Sequence, residues 1–489
     1  MKKIVIIGGG IAGLTAGILA RKKGFQVEIH EKNALPGGEC TGWNRKGFHI
    51  DNCIHWLTGT SKDSRIYPLW KEIHAIEDDT EILNPDLFYT SYYQGQKASL
   101  YCDLEKTRQE LISISPEDTE EINKFIEHVK YAACCEMPVK KPMDKMGLFD
   151  MIEMGKLMAD MPKVFKEYGK ESISEFSKRF KHPLISTLMK DYLPPEFPTS
   201  SFFVSYATIA SQNGGIPRGG SLAMSLRIAN YYQQIGGKLY LNSPVTKIVI
   251  EKGVAGGIIL KNGNAITADY IISACDTNVL FTKLLEKDYR DRKWKLVYEN
   301  SKRFPTFTAF QVAFGIDTAY YQHRGTLFFD CEPFQIATQT VSRMSVKSYE
   351  YEPSFAPEGK TVLQTNVCLF DDDYHFFKKL SREEYQELKQ EYVKVITDRI
   401  IKNFPSLESH IEVLDAFSPL TYERYMGAYH GAYMSFTNLI GEKSFRNNGI
   451  IKGAKNLYIA SQWINSPGGL PSAVSVGKFV IQRITNDFS

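Results

Sequence analysis

Near its start the chain runs Lys3-Ile4-Val5-Ile6-Ile7-Gly8-Gly9-Gly10-Ile11-Ala12-Gly13-Leu14-Thr15-Ala16-Gly17. An apolar run entering G-x-G-x-x-G, with an amphipathic segment over residues 11–23 behind it, dictates strand, tight turn and helix. Gly8 permits the turn, Gly10 lets phosphates approach the backbone, and Gly13 lets the helix lie against the strand. Ile11 and Ala12 open the helix, whose first N–H groups and positive dipole end suit a pyrophosphate. A second apolar strand over residues 26–30 ends in Glu31, eighteen residues beyond Gly13, with Lys32 next to it. That carboxylate is the expected partner of a ribose hydroxyl pair and would repel a 2′-phosphate, which favours FAD or NAD over NADP. The plain alternative is a glycine-rich turn in an ordinary βαβ unit. Strand, helix and acid in this order weigh against it.

At 489 residues the chain exceeds one compact core, so two or three domains are expected. Hydrophobic residues make up 43% and charged residues 24%, as in soluble globular proteins, and a net charge of +3 points to no nucleic-acid partner. The eight cysteines include no C-x-x-C and no zinc-type pairing, so no metal site is expected and the thiols suit a reducing compartment. No apolar run reaches the roughly 18 residues needed to span a bilayer, and the first strand begins at residue 3 with no signal peptide before it. These features predict a cytoplasmic protein and leave contact with a membrane surface open. Strands and glycine turns dominate residues 1–61, 206–285 and 441–489, while 62–205 carry long helical patterns, as at 116–135 and 151–180. Short strands over 238–274, with an Asn262-Gly263 turn, read as a meander, and residues 286–440 mix aromatic-rich strands with a helix over 382–403. The predicted fold class is α/β with mixed α+β character. A Rossmann-like nucleotide domain is assembled from the first three pieces, and a discontinuous substrate domain is inserted at 62–205 and 286–440.

Several separated motifs agree beyond the opening fingerprint. They are the Gly37-Gly38 loop with Gly47-Phe48 and Asp51, the block Gly214-Gly215-Ile216-Pro217-Arg218-Gly219-Gly220-Ser221 with Gly236-Gly237, the strand Ala268-Asp269-Tyr270-Ile271-Ile272-Ser273-Ala274, and Pro467-Gly468-Gly469-Leu470-Pro471. In this order they resemble the phytoene desaturase and retinol saturase branch of the flavin amine oxidase superfamily over essentially the whole chain. Cys40 and Ile54-His55-Trp56 lean to the retinol saturase side. The resemblance implies the amine oxidase (glutathione reductase type 2) architecture and a non-covalent FAD. Gly8, Gly10, Gly13 and Glu31 would hold pyrophosphate and ribose; Gly37, Gly38 and Glu39 would line the ribityl-phosphate side; Val245 would meet adenine through its backbone. His55 and Trp56 would lie beside the flavin, with Ser461, Gly469 and Leu470 at the ring's pyrimidine edge, where a helix N-terminus stabilises charge on a reduced flavin. Two positions depart from the pattern: Glu39 stands where many relatives have arginine, and Ser461 where glycine is usual.

Flavin chemistry on carbon needs a dry slot and at most one acid or base. His55 is the candidate the motifs place closest, with a loop histidine held for structural reasons as its alternative; His430 and Tyr433 form a second candidate pair that could equally pack. Only one dinucleotide fingerprint occurs, so electrons are expected to pass to or from a quinone, oxygen or another external reductant. Seven of the thirteen methionines lie between residues 137 and 161, and Met151, Met154, Met158 and Met161 repeat at helical spacing near Lys156, Lys163 and Lys166. That stripe is either core of the insertion or a pliable apolar surface for a channel or a membrane. The expected activity is FAD-dependent saturation or desaturation of carbon–carbon bonds in a small apolar, isoprenoid or polyene-like substrate. Oxidation of amines or amino acids is the second enzyme reading. A non-catalytic binder of prenyl groups and GTPases, like the GDP-dissociation inhibitors, is the reading from another class.

Overall fold

The structure, a computed structural model, describes residues 1–437 and 439–488. Five parallel strands form one sheet in the order Lys238–Tyr240, Gln26–His30, Lys3–Ile7, Tyr270–Ser273, Leu457–Ile459. Parallel sheets need cover on both faces, and here period two divides the first strand between two cores. Ile4 and Ile6 join Leu14, Ile228 and Val474, whereas Val5 and Ile7 join Ile248, Leu280 and Trp294. The helix Ile11–Lys22 returns along this sheet so closely that a Cβ on Gly13 would sit 2.1 Å from the Gly8 carbonyl oxygen. No side chain fits there, which is the packing role the fingerprint predicts for its third glycine.

Seven strands build a second sheet in the order Ile411–Phe417, Phe307–Asp317, Lys360–Phe370, Gln339–Ser348, Thr326–Ile336, Leu87–Tyr93, Gln96–Tyr101. Every pairing is antiparallel except that of Thr326–Ile336 with Leu87–Tyr93. One face, with Phe310, Phe314, Val346, Leu363 and Leu369, packs against Tyr392, Ile396 and Ile400 of the helix Arg382–Asn403. Each fully buried Phe or Ile there contributes about 1.5–3 kcal/mol. The opposite face looks into the space between the two sheets.

Helices from Leu104–Ile114 to Thr199–Ala210 cover one end of that space, around an aromatic core of Phe125, Phe176, Phe202, Phe203 and Tyr206. Three local expectations are revised. The helical pattern over 151–180 is split among Leu148–Leu157, Met161–Tyr168 and Ile173–Ser177, because Pro162 starts a helix and Ser172 with Glu175 forms a capping box for the next. The segment Lys238–Tyr240 leaves the meander and extends the parallel sheet beside Gln26–His30, a long-range choice that local patterning does not carry. Strands within 87–101 belong to the second sheet, and the helix Thr199–Ala210 runs through residue 205. Among the described residues no helix is long and apolar enough to cross a membrane, no cluster of metal-ligating side chains occurs, and the eight cysteines are free thiols.

Candidate functional site: a cavity between the two sheets

A continuous cavity of about 2800 Å³ separates the sheets. Sites for single drug-sized ligands run to about 1,000 Å³, so this volume accommodates a dinucleotide and a second large molecule together. Its nucleotide end is built by the fingerprint. Gly9 N–H and Asn33 N–H donate to the two oxygens of Glu31, at 2.7 and 2.9 Å, which fixes a 5% exposed carboxylate at the cavity wall. Gly37 N–H donates to the Gly9 carbonyl at 2.9 Å and draws the second glycine loop onto the first. Between them Gly10 is bare: a Cβ there would meet no atom closer than 3.8 Å, so its hydrogen face opens to the cavity. Ile11 and Ala12 begin the helix at this wall, Gly38 and Lys32 line it, and Val245 opens its strand at the same end. This arrangement fits the adenosine and pyrophosphate of FAD.

Glu39, on the same wall, has a buried Oε2 without a hydrogen-bond partner. Burial, reinforced by the nearby Asp276 carboxylate, pushes its acid up to about 8. It is therefore a neutral carboxylic acid at pH 7 and can donate a hydrogen bond where an arginine would place a charge. At the far end Gln462 accepts from Gly469 N–H at 2.7 Å, and Leu470 opens the closing helix Leu470–Thr485 toward the cavity. Ser461 lines the same end, and its hydroxyl turns back to accept from Trp463 N–H at 3.5 Å.

The turn after the strand Phe48–Asp51 presents His55. Asp51 accepts from Ser221 N–H at 2.9 Å, from the Ser221 hydroxyl and from Cys53 N–H at 3.3 Å, while Ile54 N–H donates to Ser221 Oγ at 2.8 Å. His55 is exposed to the cavity interior, where desolvation by the enclosing walls and then the Lys347 charge lower it from the usual imidazole value. It is a neutral hydrogen-bonding group across physiological pH and a poor proton store. Trp56 stands in an aromatic wall with Phe88 and Tyr192, ring centroids 6.3 and 6.0 Å away. Tyr433 reaches the cavity beside Phe307, edge-on at 5.0 Å, and burial raises its hydroxyl well above the usual range.

The structure does not bring His430 to the cavity wall. Its backbone turns left-handed (φ 51°), its Nδ1 lies 3.0 Å from Asp371 Oδ1, and its ring stacks on Tyr429 at 3.8 Å. Gly13 likewise lines packing rather than cavity. Conversely, the cavity face of the second sheet carries residues that no motif singled out. Gln311, Gln364, Asn366 and Lys347 project there from three strands. Gln311 Nε2 donates to the Tyr422 hydroxyl at 2.8 Å, and that hydroxyl donates to Asn52 Oδ1 at 3.2 Å. The alternation Gln364, Asn366, Cys368 within an apolar strand was a visible signal for two of them.

Residues 11–485 match the family described as flavin containing amine oxidoreductase. The neurosporene-forming phytoene desaturase of Rhodobacter capsulatus is 25% identical over 99% of this chain and 94% of its own length. The chloroplastic prolycopene isomerase of Daucus carota is 24% identical over 88% of this chain and 71% of its own. Among solved structures, an oxidoreductase from Methanosarcina mazei has a TM-score of 0.60 at 17% identity, covering 99% of this chain and 100% of that one. Putrescine oxidase with putrescine bound has a TM-score of 0.59 at 15% identity, covering 99% of each chain, and so shares the fold.

Proposed function

This chain belongs to the flavin-containing amine oxidoreductase family as an FAD-dependent oxidoreductase, and from that premise we propose that it saturates or desaturates carbon–carbon bonds of a long polyene or isoprenoid molecule. The observation that carries the substrate class is the aromatic end of the cavity. Trp56, Phe88, Tyr192 and Phe328 pack there in a chain of tilted and edge-on contacts, Phe307 stands edge-on to Tyr433, and Trp56, Tyr192, Phe307 and Phe328 line the wall. Such a surface dehydrates an extended apolar chain.

When bound, FAD supplies the hydride exchange at its ring nitrogen. The protein's part is placement and exclusion of water. Glu31, the first helical N–H groups and Glu39 hold the nucleotide; the Leu470–Thr485 helix directs its positive end at the opposite side of the cavity. Neutral His55 would offer a hydrogen bond to a bound molecule without bringing a charge into the cavity.

Access from a membrane completes the proposal. The helix Leu148–Leu157 buries none of its residues, and Leu148, Phe149, Met151 and Ile152 are 72, 87, 63 and 46% exposed. Met143, Met158 and Phe165 connect this apolar surface to the cavity wall. A contiguous patch of this kind marks a lipid-facing site, and its continuity with the cavity gives a polyene stored in the bilayer a dry route inward. The methionine stripe is thus divided: Met161 is core, Met151 faces outward and Met158 lines the route.

The test is to incubate the yellow protein with phytoene in liposomes under a quinone, and in reduced form with lycopene, and to follow polyene absorbance. A shift in conjugation length in either direction supports the reading. Rapid peroxide formation from putrescine or amino acids, with no change in either polyene, would overturn it.

A further inference from the structure

The floor of the cavity changes chemistry along its length. Pairing places Ala309 beside Cys368 and Phe307 beside Phe370 toward the helical insertion, an apolar stretch. Toward the His55 turn the same face presents Gln311 beside Asn366, then Gln364 beside Lys347. The amides of this second stretch are partly engaged within the protein, Gln311 Nε2 donating to the Tyr422 hydroxyl at 2.8 Å and Gln364 Nε2 to the Asp51 carbonyl at 3.0 Å, so the group that a pure hydrocarbon would leave unmet is the Lys347 ammonium.

Lys347 is the most demanding of these residues. It is 9% exposed, and its ammonium has no hydrogen-bond partner. The carboxylate nearest in charge, Asp51, already accepts from Ser221 N–H, the Ser221 hydroxyl and Cys53 N–H. Among the described residues, the rings of Tyr349 and Tyr351 lie against the Lys347 nitrogen, at 4.8 and 5.7 Å. The other groups that face it are Asp51 and Glu350, which raise its proton affinity, and His55, which is neutral. A buried ammonium costs several kcal/mol unless an anion or acceptor reaches it.

We infer that the substrate is an apolar chain ending in a carboxylate, bound with that carboxylate on Lys347 and the adjacent Gln364 and Gln311 amides and with its chain along Phe307 and Phe370. This deepens the polyene reading and rests on it. It assigns Lys347 as a specificity-determining residue: an anion at the polar end fixes which carbon–carbon bond of the chain lies beside His55. Burial lowers Lys347 to about 8, so the ammonium persists at neutral pH and is lost in mild alkali.

The experiment uses flavin-loaded protein in mixed micelles, titrated with all-trans-retinoic acid, all-trans-retinol and lycopene, with binding followed by tryptophan quenching and perturbation of the flavin spectrum. The acid is expected to bind at least tenfold more tightly than the alcohol, and Lys347→Met should remove that advantage. Lys347→Arg should keep it. Wild-type protein supplies an arm free of folding effects: the acid's advantage should shrink as pH rises through about 8, with retinol binding level. If retinol or lycopene binds as tightly as the acid, or if Lys347→Met keeps the acid's advantage, the carboxylate assignment is wrong and the polyene reading survives. If none of the three perturbs flavin or tryptophan, both fall together.

Discussion

The two sheets solve opposite problems. The parallel sheet is covered on both faces at its centre, so its middle strand is apolar on both sides: Ile4, Val5, Ile6 and Ile7 are all buried. The seven-stranded sheet is covered by Arg382–Asn403 on one face and turns the other toward the cavity. Its strands therefore alternate, Phe310 against Gln311 and Leu363 against Gln364, with stability on one side and recognition on the other. The nucleotide sheet places binding at its turns and helix ends, where backbone N–H groups point. The substrate sheet places it along its surface, where each strand contributes one or two side chains.

Breaking the nucleotide side should have the largest effect. Gly13→Val puts a side chain 2.1 Å from the Gly8 oxygen, and the expected outcome is loss of bound flavin, visible as colourless protein or as failure to fold. Yellow protein from this variant would end the assignment of the fingerprint. Next comes Phe314→Ala on the covered face of the second sheet. This fully buried ring should cost about 3–5 kcal/mol in denaturant unfolding, while flavin still binds at temperatures where the variant is folded. Coincident loss of flavin affinity would mean the two sheets are less separable than their cores suggest.

A smaller effect is expected at Glu39. Its folded-state acid is raised, so the native protein holds a proton that the unfolded chain has released. Stability is therefore greatest below the ordinary glutamate range and declines as pH climbs to about 8. Glu39→Gln should flatten that decline in melting midpoint between pH 5 and 8, and an unchanged slope would remove Glu39 from the neutral-acid role. The smallest effect on stability belongs to Phe149→Glu, within about 0.5 kcal/mol because the ring is 87% exposed. The same variant should lose most of its co-sedimentation with liposomes, and full retention would refute the lipid-facing assignment.

Much of the nucleotide end was legible because its determinants are local. Gly8, Gly10, Gly13 and Glu31 lie within one βαβ unit, and their spacing carries the geometry. Val245, Gly469 and Leu470 came through the family resemblance, and the fold brings all three to the cavity, Val245 at the nucleotide end and the other two at the far end. His430 and Tyr433 illustrate the limit: three residues apart, they diverge because a left-handed turn at His430 aims one ring at Asp371 and the other into the cavity. Lys347 had no local signal at all, since a lysine in a strand is ordinarily a solvated one.

By itself the sequence determined the dinucleotide turn and the α/β class, each set by contacts within a short span, and it left the methionine stripe open between core and surface. The tertiary structure alone decided which strand joined which sheet, that Glu39 is neutral, and that Gln311, Gln364, Asn366 and Lys347 share one floor. Those outcomes depend on burial and on pairings between residues tens to hundreds of positions apart, and desolvation is a property of the assembled surroundings rather than of any stretch of chain.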